Sequence, residues 1–215
     1  MRKGLAIFAL TQRGLALARR LKRSSGGTTI HAPQGLKNGK LKDKVRAAFK
    51  DSNGIVFVSA VGIAVRIIAP LLRSKATDPA IVVMDETGRF AISLVSGHLG
   101  GANELTKKLA RIAGARPVIT TATDLYSLPS IEAIAKKFNL AIEDMKRIKH
   151  VNSAIINNKK VFVNDGNAKR LALMKKAFPR GAFEFRKTLP RRADKGSALV
   201  VVSTAAENTG LSKKT

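Results

Sequence analysis

Ile55–Ser59 reads IVFVS, a strand that is apolar on both of its faces. Such a strand needs helices packed against both sides, the arrangement of parallel α/β sheets. The flanking sequence agrees. Leu5–Leu10 is an apolar strand, and Leu15, Leu17, Ala18 and Leu21 then share one helical face. Ser24-Ser25-Gly26-Gly27 ends that helix, Thr28–His31 is a β-branched strand, and Leu41, Val45, Ala48 and Phe49 repeat helical spacing. Strand, helix, strand, helix ahead of a doubly covered strand marks a parallel α/β layer. Further on, Ala80–Asp85 and Arg89–Val95 read as strands joined by Glu86-Thr87-Gly88, with glycine suited to the left-handed position of a three-residue hairpin loop. The expected fold is α/β: a three-layer, mostly parallel sheet with one antiparallel hairpin, followed by a smaller α/β unit. The domains are placed at 1–126 and 127–215. The second has strands at Lys160–Asn164, Phe183–Phe185 and Leu199–Ser203 and a polar tail from Thr204.

The formal charge of +26 is unevenly spread. Residues 1–50 hold 13 Lys/Arg against one acid, residues 51–130 hold 8 against 6, and residues 131–215 hold 19 against 7. A surface this basic favours a polyanionic partner, whether nucleic acid, an anionic membrane or a multiply carboxylated ligand, unless it serves solubility alone. Nucleic acid is the weaker alternative: no recognisable binding motif is present, Trp is absent, and the charge avoids the most strongly patterned block, Gly54–Asp124. The apolar run Leu5–Leu10 is too short for a signal sequence, and no run reaches the roughly 18–20 residues of a membrane span. A cytoplasmic protein without membrane association is expected. With no cysteine there is neither a disulfide framework nor thiolate chemistry.

The central block holds the candidate chemistry. Ser96-Gly97-His98-Leu99-Gly100-Gly101 feeds a helix beginning near Asn103, where glycines permit close backbone approach and a helix start favours negative charge. The pattern is neither a phosphate-binding loop ending in Gly-Lys-Ser/Thr nor GxGxxG. His98 serves as a capping or packing residue, or as an acid–base or ligand-binding group. Glu104 suits the helix dipole whatever else it does. Arg66, the one charge between Asp51 and Arg73, either reaches to solvent or grips a carboxylate bidentately. Asp85 lies at a strand end as a turn acid, a general base or a metal ligand. Thr120, Thr121 and Asp124 form a hydroxyl-rich strand exit. Ser59, Ser96, Thr120, Thr121 and Thr123 are expected to line one crevice outside strand carboxyl ends. No second His or Cys stands at ligand spacing from His98, so no protein metal site is expected.

Gly62-Ile63-Ala64-Val65-Arg66, Ile68-Ala69-Pro70-Leu71-Leu72, Asp78-Pro79 and Val82-Val83-Met84-Asp85-Glu86 recur together with Ser96-Gly97-His98, Gly100–Leu105 and Pro117–Asp124. In order and spacing these segments resemble the N-terminal domain of the cobalt-precorrin-5A hydrolase (CbiG) family of anaerobic cobalamin biosynthesis. Residues 130–203 resemble the family's middle region more weakly. The resemblance implies a hydrolase that opens the δ-lactone of cobalt-precorrin-5A and releases acetaldehyde, giving cobalt-precorrin-5B. Its partner would be a cobalt-corrinoid tetrapyrrole, with cobalt carried by the substrate and no other cofactor.

Under that implication His98, Glu104, Asp85 and Asp124 are the candidate catalytic groups. Arg66, Ser96, Gly97, Gly100, Gly101, Asn103, Thr120 and Thr121 are candidates for substrate binding, with the Gly100 and Gly101 amides as oxyanion donors. Longer family members continue into a C-terminal domain, which this chain is read as lacking. A separate C-terminal-domain protein would then be a partner, and a tetrapyrrole-binding subunit without catalysis is the alternative.

Overall fold

The computed structural model describes residues 4–24, 26–37, 39–74, 77–125, 128, 130–144, 146–178, 183–188 and 197–202. The chain forms two units, Met1–Thr121 and Ala122–Thr215. In the first, β1 (Leu5–Ala9), α1 (Gln12–Arg23), β2 (Thr28–His31), α2 (Lys40–Asp51), β3 (Gly54–Val58), α3 (Val61–Ile68) and β4 (Ala80–Met84) alternate as the apolar patterning predicts. Then come β5 (Phe90–Val95), α4 (Ala102–Ala113) and β6 (Arg116–Val118). The sheet order is β2-β1-β3-β4-β5-β6.

Strand alternation sends each apolar set to its own helical layer. Ile7, Ala9, Val56, Val58, Val82 and Met84 pack against α1 and α4 through Leu15, Leu17, Ala18, Leu21, Leu109 and Ala110. Ala6, Phe8, Ile55, Phe57, Ile81 and Val83 pack against α2 and α3 through Val45, Phe49, Ala64, Ile67 and Ile68. The IVFVS strand is thus covered on both sides. Pro70, which has no N–H to extend α3, sits in the short 3-10 turn Ala69–Leu71 that follows it. Thr11 caps α1 through its hydroxyl, which accepts the Gly14 N–H at 3.1 Å. Gly114, at φ 63°, ends α4.

Strand direction decides where the candidate residues lie. The β4–β5 turn closes a hairpin, with the Gly88 N–H on the Asp85 carbonyl and Gly88 at φ 71°. β5 is therefore antiparallel to β4, whereas β6, reached through the crossover helix α4, is parallel to β5. Both run against β1–β4. The carboxyl ends of β1–β4 emerge at one edge of the sheet, and those of β5 and β6 emerge at the other. A five-residue strand separates the two edges by about 17 Å. The expectation of one crevice lined by Ser59, Ser96, Thr120, Thr121 and Thr123 is corrected by this topology: Ser59 follows β3 at the first edge, and Ser96 follows β5 at the second.

A bulge lies in the β4–β5 pairing. Ile81 pairs with Val95 but Val82 pairs with Ser93, so Leu94 is the extra residue. Ser93 consequently shares the α4 side of the sheet with its partner Val82, while Leu94 and Val95 both pack with the α2/α3 layer.

The second unit contains α5 (Ala122–Leu125), α6 (Ile131–Lys137), α7 (Ile148–Ile156), β7 (Val161–Asp165), α8 (Ala168–Ala177), β8 (Phe183–Arg186) and β9 (Ala198–Val202). Its strands form a parallel sheet in the order β8-β7-β9. Its core gathers Ile134, Ile148, Ile155, Val161, Val163, Leu171, Met174 and Phe185. Ser130 and Asn167 cap α6 and α8. The basic loop Leu189–Gly196 and the polar tail from Thr204 fall outside the described residues.

Candidate functional site

At the second edge the glycine-rich stretch folds back on itself as a loop. Ser96 leaves β5 in the left-handed region at φ 62°, buried, and its Oγ has no hydrogen-bond partner among the described residues. Gly101 follows at φ 83°. Between them the loop carbonyls turn back onto the start of α4. The Gly101 N–H donates to the His98 carbonyl at 3.2 Å, the Ala102 N–H to Ser96 at 3.1 Å and the Asn103 N–H to Gly97 at 3.0 Å. The expectation that the Gly101 amide stands open for an oxyanion is therefore corrected, because that donor is already bonded inside the loop.

Asn103 fixes the loop to the sheet. It is 3% exposed, and its Oδ1 accepts the Ser93 hydroxyl at 2.6 Å while its Nδ2 donates to Thr121 Oγ1 at 3.1 Å. One side chain thus ties β5 to the exit from β6. Gly97 is required beside it, since a Cβ there would stand 2.8 Å from Asn103 Oδ1. The bulge at Leu94 brings Ser93 round to meet Asn103, a pairing that sequence spacing did not reveal. Asp78, read from sequence only as the start of a unit, is buried, and its carboxylate accepts the N–H groups of Arg73 and Ser74 at 3.0 and 3.1 Å. Its carbonyl lies against Gly100.

The structure thus brings Ser96, Gly97, Gly100, Gly101, Asn103 and Thr121 together, with His98 half-buried on the same loop and Thr120 exposed beside Thr121. Glu104 is exposed in the first turn of α4 and pairs with Lys107 at 3.1 Å. Asp124 belongs to the second unit, in α5. Arg66 is exposed on α3 and forms no ion pair among the described residues.

Asp85 lies at the first edge, at the end of β4, away from His98 and Glu104. Its carboxylate accepts the Thr87 N–H at 3.0 Å, the Thr87 hydroxyl and the Phe90 N–H at 2.7 Å. Burial is the largest influence on this group and works against its charge, but the Thr87 hydroxyl and the amides of Phe90, Arg89 and Thr87 together outweigh it. They hold the carboxyl below its ordinary range. A carboxylate so held is a weak base at neutral pH and serves the hairpin. The unfolded chain takes up a proton here first as pH falls, so the turn's contribution is full above the ordinary carboxyl range and is lost as pH drops through the lowered value. Carbon-13 titration should place the Asp85 midpoint below the ordinary aspartate range, and Asp85→Asn should flatten the acid limb of the stability curve. A midpoint within or above that range would contradict this account of the turn.

Comparison with known proteins bears on the same block. Residues 43–124 match the family described as Cobalamin synthesis G N-terminal, and residues 129–212 match Cobalamin biosynthesis central region. This chain belongs to the CbiG family. Every candidate site residue lies within the first of the two matched regions. A Salmonella typhimurium protein named Cobalt-precorrin-5A hydrolase is 40% identical over 167 residues, covering 74% of this chain and 47% of its own length. A Priestia megaterium protein of the same name is 32% identical over 170 residues, covering 74% and 46%. The chain spans about half the length of these CbiG-family relatives. The crystal structure of a cobalamin biosynthesis protein G homolog from Sulfolobus solfataricus superposes with a TM-score of 0.50 at 24% identity, over 92% of this chain and 59% of that one. This last likeness supports the CbiG-family fold. Among the described residues no helix is long and apolar enough to cross a membrane.

Proposed function

We propose that this chain acts in cobalamin biosynthesis on cobalt-precorrin-5A, opening its δ-lactone with release of acetaldehyde to give cobalt-precorrin-5B. The observation that carries the reading is the pair of consecutive CbiG-family matches, together with the names of the two relatives. In the lactone step, water adds to the lactone carbonyl and its bond to the ester oxygen breaks, giving a carboxylate and a hydroxyl on the two-carbon unit. That hydroxyl gives up its proton and becomes the aldehyde carbonyl as the carbon–carbon bond to the macrocycle breaks, and the macrocycle keeps the electron pair and takes up a proton. The substrate brings its own cobalt, and its acetate and propionate groups suit a chain of formal charge +26.

Incubation of the protein with cobalt-precorrin-5A, following ring absorbance and trapping acetaldehyde, should show turnover. A folded protein that leaves both unchanged would overturn the reading. A spectral change without acetaldehyde would instead mean that the chain binds the tetrapyrrole without catalysing the opening. A salt-sensitive shift of a polynucleotide with no response to the tetrapyrrole would favour the nucleic-acid alternative instead.

A further inference from the structure

We propose that the tetrapyrrole ring binds at the first edge of the sheet, in the crevice outside the carboxyl ends of β1 and β3, and not at the glycine-rich loop. This rests on the tetrapyrrole reading above, to which it adds a location. The first argument is topological. In the order β2-β1-β3-β4 the chain leaves β1 toward α1 on one side of the sheet and leaves β3 toward α3 on the other. The two connections diverge, and open α/β sheets hold their ligands in the gap so formed. The α1 side of the gap is close: a Cβ on Gly14 would stand 3.0 Å from Val58 Cγ1 and 3.4 Å from the Val58 carbonyl oxygen.

The second argument is the surface of α3. Its inner side is Ala64, Ile67 and Ile68, all buried. Val61, Ile63 and Val65 nevertheless stand 37%, 41% and 42% exposed. Val61 and Val65, four residues apart, lie on one flank of the exposed side and Ile63 lies on the other, so the helix leaving the strand end shows apolar surface on both flanks. Gly62 lies between the flanks with no atom within 4 Å of where a Cβ would be, which leaves room between them for a flat ligand.

The third argument is charge. Arg13 in the first turn of α1 and Arg66 on α3 are exposed and make no ion pair among the described residues. No acid lies in the first turn of either helix. Arg66 follows Gly62 and Ile63 by four and three residues, so it shares their side of the helix. Helical side chains lean toward the N-terminus, which carries its guanidinium back toward the strand ends. The nearby acid Asp85 is engaged by its own hairpin. Exposed valine and isoleucine side chains on the helix that carries Arg66, with Arg13 on the other helix leaving this edge, suit an apolar macrocycle rimmed with carboxylates. At the other edge, the amides of Gly101, Ala102 and Asn103 are closed by the loop's own carbonyls.

Titration with cobyrinic acid, a cobalt corrinoid whose carboxylates are free, tests this through the corrin absorbance. Arg66→Glu and Ile63→Asp should each raise Kd by about tenfold or more, a factor equivalent to about 1.4 kcal/mol. Arg111→Glu, the same charge change on the exposed side of α4, should bind as the parent protein does. Circular dichroism shows whether each variant is folded, and Arg66→Lys, which keeps the charge, provides a milder check. If the parent binds and both α3 variants bind equally well, the location is wrong and the function stands. If the parent shows no spectral change at all, the tetrapyrrole reading fails and takes this site with it.

Discussion

Alanine at Gly100 should destabilise the first unit by about 3 kcal/mol, the upper end of what overpacking costs. Its Cβ would lie 2.4 Å from Ser96 Cβ, 2.9 Å from the Ser96 carbonyl oxygen and 3.2 Å from the Asp78 carbonyl oxygen. None of these is the far end of a flexible chain. The Ser96 carbonyl is held by the Ala102 N–H, and Ser96 is itself in a left-handed conformation. Asp78 is pinned by two amides on its carboxylate. Relief would require the loop to lift from the start of β4, breaking the turn into α4. Urea unfolding of the variant checks this, with Gly101→Asn as the comparison. Gly101 has φ 83° and nothing within 4 Å of its Cβ position, and asparagine enters that region more readily than other side chains. A Gly100→Ala protein within about 1 kcal/mol of its parent would show that the loop accommodates side chains.

The second large effect is expected at Arg170. Asp165, at the end of β7, is 0% exposed. Its carboxylate accepts Arg170 Nε at 2.6 Å, Arg170 Nη2 at 2.9 Å and the Asn167 N–H at 2.8 Å. Arg170→Leu leaves a buried carboxylate with one amide donor and should cost the second unit about 3–5 kcal/mol. Much of that cost belongs to the orphaned charge, so Asp165→Asn combined with Arg170→Leu should be less damaged than Arg170→Leu alone. Hydrogen exchange at the β7 amides, read across the parent, the singles and the double variant, separates the two contributions. A single Arg170→Leu protein with parental exchange rates would show that the carboxylate is not confined as the structure places it.

Much of the architecture was legible in the sequence because period is a local property. The strands and helices of the first unit follow from apolar spacing, and the hairpin follows from Glu86-Thr87-Gly88. The relation between the hairpin and the candidate residues was also implicit. Once β5 turns back on β4, and α4 carries the chain to a strand parallel with β5, Ser96 and Thr121 must emerge opposite Ser59. Reading each strand end as part of one crevice passed over that consequence. The glycine-rich stretch shows a different limit. Its composition suits either an open anion cradle or a self-bonded loop, and only the coordinates give the carbonyl partners of Gly101, Ala102 and Asn103.

The sequence by itself determined the α/β class, the two-sided burial of β3, the hairpin and the block that carries family membership. These rest on neighbours within a few residues, where side-chain order dictates which face is apolar. Tertiary structure alone decided the partners of Asn103, the engagement of Asp85 by its turn, the pairing of Asp165 with Arg170 and the exposure of Val61, Ile63 and Val65. Those depend on strand direction, on one bulged residue at Leu94, and on which helix covers which side of the sheet. Hydrogen bonds and burial are set by distances of a few ångströms between groups far apart in the chain, and no local pattern encodes them.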